Sequence, residues 1–289
     1  MTRKSFRSLL AADGPLILPG AHDALAARLI QRAGFGGFFI GGFGAVGARF
    51  GVPDIGLKSL GDISQAVRDI LAACDLPVLV DADDGYGDVK NVVHTVHTYE
   101  KMGVGALFLE DQRWPKRCGH LEGKAVVPVE EHAAKIRAAA QERMCPDTFL
   151  IARTDARAVT GLDDAMRRAE RYLQAGADCI FIEALRTVEE GAWPGRIPEG
   201  LRDVIGKRLS HATLTQRLRS AGERYANATT APIPIMPNMY GRNTARRLCA
   251  GLNAVMAATT RSRLPRPMKR SRITVVTASV LCSVCSDAK

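Results

Sequence analysis

The sequence lacks several features that define particular protein classes. It has no apolar run long enough to span a bilayer, and the apolar part of its basic opening segment is too short for a signal peptide. Its seven cysteines are odd in number and irregularly spaced, which does not fit a secreted disulfide framework. We therefore expect a cytoplasmic protein without a membrane anchor. A mitochondrial presequence is the alternative, because the first ten residues are basic.

Acidic residues are scarce in the last third of the chain. Residues 1–190 carry a net charge of −3, whereas residues 191–289 contain 17 basic and only 4 acidic residues, a net charge of +13. Hydrophobic periodicity also fades there. We predict one domain over residues 1–260 with an atypical insertion at about 191–216, followed by a basic, disordered tail over 261–289. Without interleaved aromatic residues, the tail is not expected to bind nucleic acid.

Short apolar segments alternate with helical patterns over residues 14–190. The predicted strands are Leu16–Leu18, Gly37–Ile40, Pro77–Val80, Ala106–Leu109, Phe149–Ala152 and Cys179–Ile182. The predicted helices are Asp23–Ala33, Ser59–Ala73, Val89–Met102, Val129–Arg143 and Asp163–Ala175. Strict alternation of this kind predicts an α/β fold with a parallel sheet.

Charged residues follow four consecutive predicted strands at the point where each strand ends. They are Asp81 and Asp83, Glu110, Arg153 and Asp155, and Glu183. In a (β/α)8 barrel these ends converge on one mouth, whereas an open sheet would spread them along an edge. We therefore predict a TIM barrel, complete or lacking part of its C-terminal end, with Ala231–Met236 and Leu252–Ala257 as further strands. Acidic groups at two neighbouring strand ends indicate a site for a hard cation.

Five ordered motifs carry a resemblance to a known family. They are Pro19–Leu25, Asp81–Gly87, Glu110–Gln112, Lys116–His120 and Ala152–Ala156. Together they resemble the isocitrate lyase/phosphoenolpyruvate mutase superfamily. The resemblance implies a (β/α)8 barrel, a homotetramer, and Mg²⁺-dependent making or breaking of a C–C or P–C bond beside a 2-oxo acid.

The resemblance also implies roles for individual residues. Asp81 would bind Mg²⁺ (or Mn²⁺) directly, with Asp83, Asp54 and Glu110 holding the ion through water. Cys118 would be the proton-donating thiol, on a mobile lid with Lys116, Arg117 and His120 around it. Further catalytic or substrate-binding positions are Gly41, Gly42, Gly119, His120, Arg153, Glu183 and Asn238.

Cys118 favours one activity over another, because family members that lack this thiol tend to be phosphonate mutases. The resemblance thus implies a lyase or hydrolase that acts on a small 2-hydroxy di- or tricarboxylic acid, malate- or methylisocitrate-like, through an enolate. A phosphonate-type mutase is the first alternative. The second, of another class, is an inactive relative whose basic tail binds polyanions.

Gly41 departs from the family pattern, and the segment that follows it also fits an unrelated motif. Gly41 replaces the usual serine after the second predicted strand, which removes one hydroxyl from the expected substrate site. The segment Gly42–Gly47 fits a dinucleotide-binding pattern by letter, but no acidic residue ends a following strand at the required distance. We interpret this segment as a substrate loop.

Overall fold

The computed structural model describes residues 5–10, 16–119 and 121–185. The predictions that concern His120, the insertion, Asn238, the strands Ala231–Met236 and Leu252–Ala257, and the basic tail lie outside these residues. In the described ranges, no helix is long and apolar enough to cross a membrane.

The described residues form a parallel sheet of five strands in the order β1-β2-β3-β4-β5. The strands are β1 (Phe38–Ile40), β2 (Val78–Asp81), β3 (Ala106–Glu110), β4 (Phe149–Thr154) and β5 (Cys179–Ile182). Each neighbour in space is also the neighbour in sequence, as expected when every strand is followed by a helix that returns the chain. The predicted α/β class with a parallel sheet is confirmed.

The predicted first strand, Leu16–Leu18, is wrong in position. Among the described residues that precede β1, only Gly20 pairs with it, in an isolated parallel bridge to Phe39. The backbone N–H of Phe39 donates to the Pro19 carbonyl, and the N–H of Ala21 donates to the Phe39 carbonyl. Pro19 has no N–H to donate, and this shortens the ladder to a single bridge.

Eight helices lie among the described residues. They are α1 (Phe6–Leu10), α2 (Ala24–Arg32), α3 (Gly42–Phe50), α4 (Leu60–Ala72), α5 (Val89–Lys101), α6 (Val129–Glu142), α7 (Ala156–Val159) and α8 (Leu162–Gln174). Ser59 begins α4 and Asp88 begins α5 with capping boxes. The five predicted helices are confirmed to within one or two residues, a range typical of helix ends.

Helix α3 was not predicted, because its sequence contains three glycines, each of which costs about 1 kcal/mol relative to alanine in a helix. Packing outweighs this cost, because Ala45 and Val46 are buried in the same apolar core as Phe38 of β1. The short helix α7, directly after β4, was likewise missed.

Apolar side chains from the two faces of the sheet form two separate cores. The outward side chains Phe38, Val80 and Leu107 pack beneath the helices. The inward side chains Leu79, Phe108 and Ile151 pack with one another and with Phe39 and Phe181 from the outer strands. Inward side chains of all five strands thus share one interior, as the strands of a barrel do.

Helix α1 covers this interior at the amino-terminal ends of the strands. The Phe6 ring lies 5.9 Å from that of Phe149 at the start of β4. Arg7 and Arg143 both bind Asp178, whose carboxylate also accepts the N–H of Leu150. These contacts close the end opposite to the one where the charged residues lie.

Candidate active site

The inward positions change from apolar to charged as each strand reaches its carboxyl end. Leu79 is followed two residues later by Asp81, Phe108 by Glu110, and Phe181 by Glu183. Because side chains two residues apart share a face, the charged groups stand above an aromatic floor at one mouth. Asp81 and Glu110 are the last residues of β2 and β3, and both are buried.

The chain leaves β2 through a tight turn that places Asp83 beside Asp81. Asp83 and Tyr86 both have positive φ values, 48° and 60°, a conformation that residues other than glycine rarely adopt. The N–H of Asp83 donates to Oδ1 of Asp81 over 3.0 Å. Strain of this kind is retained mainly where a site needs the geometry.

Lys116 lies among the buried carboxylates. Its Nζ is 2.5 Å from Oδ1 of Asp54 and 2.6 Å from Oδ1 of Asp83, and its side chain is only 4% exposed. Oδ2 of Asp81 accepts the backbone N–H of Gly42 over 3.2 Å. A side chain at Gly42 would lie 3.2 to 3.4 Å from Asp54, Asp81 and Lys116. The lysine thus neutralises part of a cluster that also includes Glu110.

The electrostatics of this cluster are unusual. Burial raises the pKa values of Asp54, Asp81 and Asp83, and raises that of Glu110 well above its ordinary value. Burial also disfavours the Lys116 ammonium, but the surrounding carboxylates together outweigh that effect and raise its pKa. The cluster thus places four buried carboxyl groups around one lysine, and burial makes these groups harder to ionise than exposed acids.

A hard divalent cation fits this set of donors. All four acidic side chains offer oxygen, and Oε1 of Glu110 is buried without a hydrogen-bond donor. As the side chains lie, no three carboxylate, thiol or imidazole groups in the described part of the chain are close enough to hold a metal together. Lys116 Nζ stands between Asp54 and Asp83, so an ion could enter only if this ammonium moved.

Arg153 occupies the other side of the mouth. Its Nε and Nη2 donate to the two carboxylate oxygens of Asp155 over 3.0 and 3.2 Å. Glu110 lies 3.3 Å from Nε, and Glu183 lies 3.7 Å from Nη2. The guanidinium also lies over the rings of Phe108 and Phe181. Contacts on so many sides hold this cation in one orientation.

The segment that carries Cys118 crosses the mouth between these two sides. The N–H of Cys118 donates to the Asp54 carbonyl over 3.0 Å. A side chain at Gly119 would lie 2.5 Å from Nη2 of Arg153 and 2.9 Å from Glu183. The backbone of Gly119 therefore approaches the guanidinium closely, and a larger residue here would displace Arg153 or Glu183. Cys118 itself is partly exposed.

Lys116 and Arg117, the cations next to Cys118 in sequence, bind oxygen atoms of other residues. Lys116 binds Asp54 and Asp83, as described, and Nη1 of Arg117 donates to the Glu122 carbonyl over 3.3 Å. The side-chain amide of Gln112 braces the backbone of Arg117 on both its N–H and its carbonyl, each over 2.9 Å. That these cations activate the thiol stays a prediction.

Gly41 and Gly42 begin helix α3 at the end of β1. Gly41 is the N-cap residue, and a side chain there would lie 2.9 Å from the Phe39 ring. Phe39 therefore fills the space where the family's serine would stand. Backbone N–H groups at this helix start remain the polar groups that could face an anion.

Sequence reasoning missed one residue that supports the site, Lys124. Lys124 binds Asp155, and Asp111 accepts the backbone N–H of Asp155. A buried acid after a strand implies a buried partner, so the position of Asp155 was a signal that a further cation would be needed. Which cation fills that role depends on the path of the loop, which no local pattern specifies.

Comparisons with known proteins agree with this geometry. The sequence profile of the phosphoenolpyruvate phosphomutase family matches residues 6–192. The 2,3-dimethylmalate lyase of Eubacterium barkeri is 43% identical over 189 residues, which are 65% of this chain and 65% of that protein. The matched region thus spans less than two thirds of that relative's length.

Solved structures give the same result. An oxaloacetate acetylhydrolase in complex with the inhibitor 3,3-difluorooxalacetate matches with a TM-score of 0.64 and 29% identity over 91% of this chain and 97% of its own. A phosphonopyruvate hydrolase in complex with oxalate and Mg²⁺ matches with a TM-score of 0.62 and 28% identity over 90% of this chain and 88% of its own. The chain therefore belongs to the phosphoenolpyruvate mutase/isocitrate lyase superfamily.

Proposed function

We propose that the chain is a Mg²⁺-dependent carbon–carbon lyase or hydrolase that acts on a small 2-hydroxy di- or tricarboxylic acid through an enolate. The observation that carries this proposal is the pairing of two unlike sides at one mouth. One side is a buried cluster of four carboxyl groups around a single lysine, and the other is a fixed guanidinium. A dicarboxylic acid bound to a divalent cation complements both sides.

The cation would be held by Asp81, with Asp83, Asp54 and Glu110 around it, and Mn²⁺ could replace Mg²⁺. When bound, Mg²⁺ would supply Lewis-acid stabilisation to the oxygens of the substrate and of the enolate. Lys116 would leave its place between Asp54 and Asp83, since an ammonium and a dication repel each other. The ammonium would then be available to pair with a substrate oxygen.

Arg153 would orient the substrate by binding one of its carboxylates. The guanidinium is already fixed by Asp155, Glu110 and the two aromatic rings, so little conformational entropy would be lost on binding. Gly119 lies close to this cation, since even a Cβ atom at this position would lie 2.5 Å from Nη2. Glu183, whose carboxylate lies 3.7 Å from Nη2 of Arg153, would help to hold the guanidinium in this orientation.

Cys118 would supply the proton that completes the reaction. As the C–C bond breaks, its electron pair passes to the departing enolate, and the 2-hydroxyl passes its proton to a carboxylate of the mouth and becomes a carbonyl. The thiol of Cys118 then donates a proton to the enolate carbon and becomes a thiolate. General acid catalysis of this kind typically contributes about 10² to 10⁴-fold to the rate.

A phosphonate-type mutase is the second candidate, favoured by the phosphoenolpyruvate phosphomutase profile that matches residues 6–192. A mutase would have no need for a proton donor at position 118. Formation of phosphonopyruvate from phosphoenolpyruvate, followed by phosphorus NMR, distinguishes this activity from C–C cleavage. We further propose a homotetramer, which the native mass of the purified full chain tests.

The experiment that tests the site is the melting temperature of the full chain with Mg²⁺, with oxalate, and with both. Oxalate resembles the planar enolate of a 2-oxo acid. At 100 times its dissociation constant, a ligand of the folded state adds about 2.7 kcal/mol, which raises the melting temperature by roughly 5 to 10 °C. We expect this rise only when both components are present. An equal rise with oxalate alone, or no rise, would contradict the proposal.

A further inference from the structure

Lys124 is buried although it belongs to the loop that crosses the mouth. We refer to residues 113–119 and 121–125 as the Cys118 loop. An antiparallel bridge between Gln112 and Val126 closes the loop at its base, and the Arg113 N–H donates to the Ala125 carbonyl. The Lys124 side chain is 3% exposed. Burying an ammonium is costly, so its partners indicate what the burial achieves.

The Lys124 ammonium has two partners at short distance. Its Nζ donates to the Gly119 carbonyl over 2.6 Å and to Oδ1 of Asp155 over 2.7 Å. One partner belongs to the Cys118 loop, and the other stands at the end of β4. The lysine therefore joins the loop to the sheet through a charge-assisted pair of bonds.

Asp155 is itself held by groups other than Lys124. Its carboxylate accepts both bonds from Arg153, and its backbone N–H donates to Oδ1 of Asp111 over 2.9 Å. The Arg153 guanidinium is shared among Asp155, Glu110 and Glu183, so Lys124 also contributes to the charge balance of Asp155. Its second bond, to the Gly119 carbonyl, adds nothing to that balance and instead restrains the Cys118 loop.

Two hydrogen bonds hold the backbone of Cys118 and Gly119, one on each side of the mouth. The N–H of Cys118 is held by the Asp54 carbonyl, on the side of the carboxylate cluster. The carbonyl of the next residue, Gly119, is held by Lys124, on the side of Arg153. The Gln112 bonds to Arg117 and the Leu121 N–H bond to the Cys118 carbonyl lie within residues 112–121, so the Asp54 and Lys124 bonds are the ones described here that tie Cys118 and Gly119 to the two sides of the mouth.

We propose that Lys124 is a positioning residue for Cys118: by joining the Gly119 carbonyl to Asp155, it holds the thiol over the mouth in register with Arg153. Lys124 does not touch the reacting atoms. The inference rests on the proposed function, since it assigns Lys124 to the support of the proton donor. Its structural part, the restraint of Cys118, can be measured without substrate or metal.

The test compares alkylation rates of individual cysteines in the full chain, measured by iodoacetamide labelling and peptide mass spectrometry. Lys124→Met should increase the labelling rate of Cys118 by at least about tenfold, because removal of one partner of a buried pair strongly destabilises the arrangement. Labelling of the exposed Cys145 should not change. Lys124→Arg, which keeps a cation, should restore most of the restraint. Lys101→Met, at an exposed lysine of α5, serves as the matched control.

Two results would overturn the inference. One is an unchanged Cys118 labelling rate in a folded Lys124→Met protein. The other is loss of folding in both Lys124→Met and Lys124→Gln, because a residue that only positions the loop is not needed for the fold. The outcome is separate from that of the proposed function, since a protein that fails to bind Mg²⁺ and oxalate can still show the predicted change in labelling.

Discussion

Glu110 and Asp111 are adjacent buried carboxylates whose surroundings differ sharply. Glu110 faces the mouth, where Oε1 has no hydrogen-bond donor and burial raises the pKa well above its ordinary value. Asp111 faces the helices and accepts bonds from Thr154, the backbone of Asp155, Tyr172 and Arg168 at 2.7 to 3.2 Å. Burial still raises the pKa of Asp111, but these donors oppose it.

The comparison separates two uses of a buried charge. Around Asp111 the protein supplies every partner, and the carboxylate ties α8 to the end of β4. Around Glu110 the protein leaves oxygen atoms incompletely partnered, a state that costs stability unless a ligand supplies what is missing. Replacement of a residue in the cluster around Asp111 should therefore affect folding, and replacement of a residue in the cluster around Glu110 should affect binding.

The largest expected effect is on binding, from a change at the mouth. Asp81→Ala should reduce metal-dependent turnover to background and abolish the joint effect of Mg²⁺ and oxalate on the melting temperature. The melting temperature without ligand should change little, since relief of the repulsion between Asp81 and Asp83 offsets the loss of the acceptor for the N–H groups of Asp83 and Gly42. Asp75→Ala, at an exposed position, is the control. A variant that keeps the ligand-induced rise would show that Asp81 is not a metal ligand.

Asp111→Asn should lower stability and leave ligand binding unchanged. The amide keeps the shape of the side chain but removes the negative charge to which Arg168 and three neutral groups donate hydrogen bonds, at a cost of about 3 kcal/mol in the free energy of unfolding. Thermal unfolding should occur roughly 6 to 12 °C lower. The additional rise with Mg²⁺ and oxalate should persist in the folded protein. Asp75→Asn provides the comparison, and equal melting temperatures of the two variants would refute a structural role for Asp111.

The smallest effect concerns pH and comes from His132, beside the Asp111 cluster. Its ring is fully buried, lies 4.7 Å from that of Tyr172, and faces Lys135 of α6 and Arg168 of α8. Burial, followed by these two cations, lowers its pKa to about 3. A folded pKa below the unfolded value of about 6.5 means that stability is lost as pH falls from about 6.5 towards 3.

Replacement of this ring should remove that part of the pH dependence. The free energy of unfolding of His132→Leu, measured by urea titration between pH 7 and pH 4, should fall less steeply than that of the wild type. The difference in slope should approach about 1.4 kcal/mol per pH unit at most. His94→Leu, at an exposed position, should follow the wild type. Parallel curves for His132→Leu and the wild type would mean that His132 does not titrate as the burial implies.

The regular part of the fold could be predicted because its signals are local. Helix α5 and strand β3 follow from hydrophobic period and from capping residues such as Asp88. Helix α3 could not be predicted, because its glycines disfavour a helix and only packing against the core stabilises it. Leu16–Leu18 was placed wrongly because an apolar run indicates burial but does not specify a pairing partner.

The candidate site was predictable to a similar degree. The acidic residues at the ends of β2 and β3 were expected at one mouth, and the structure brings them together there with Arg153. The ion pairs of Lys116 and Lys124 were not foreseen, since they depend on where a loop crosses the barrel mouth. A lysine has the same local signature whether it faces solvent or a buried carboxylate.

The position of Lys116 has a consequence for how the protein is made. The chain provides its own counter-ion for Asp54 and Asp83, so these acids can be buried before any ion is captured. We therefore expect folding not to depend on the supply of metal, in contrast to small domains that fold only around a bound ion. Under the proposed function, a newly synthesised chain would complete its scaffold first and acquire its cation afterwards, by exchange with an ammonium that is already in place.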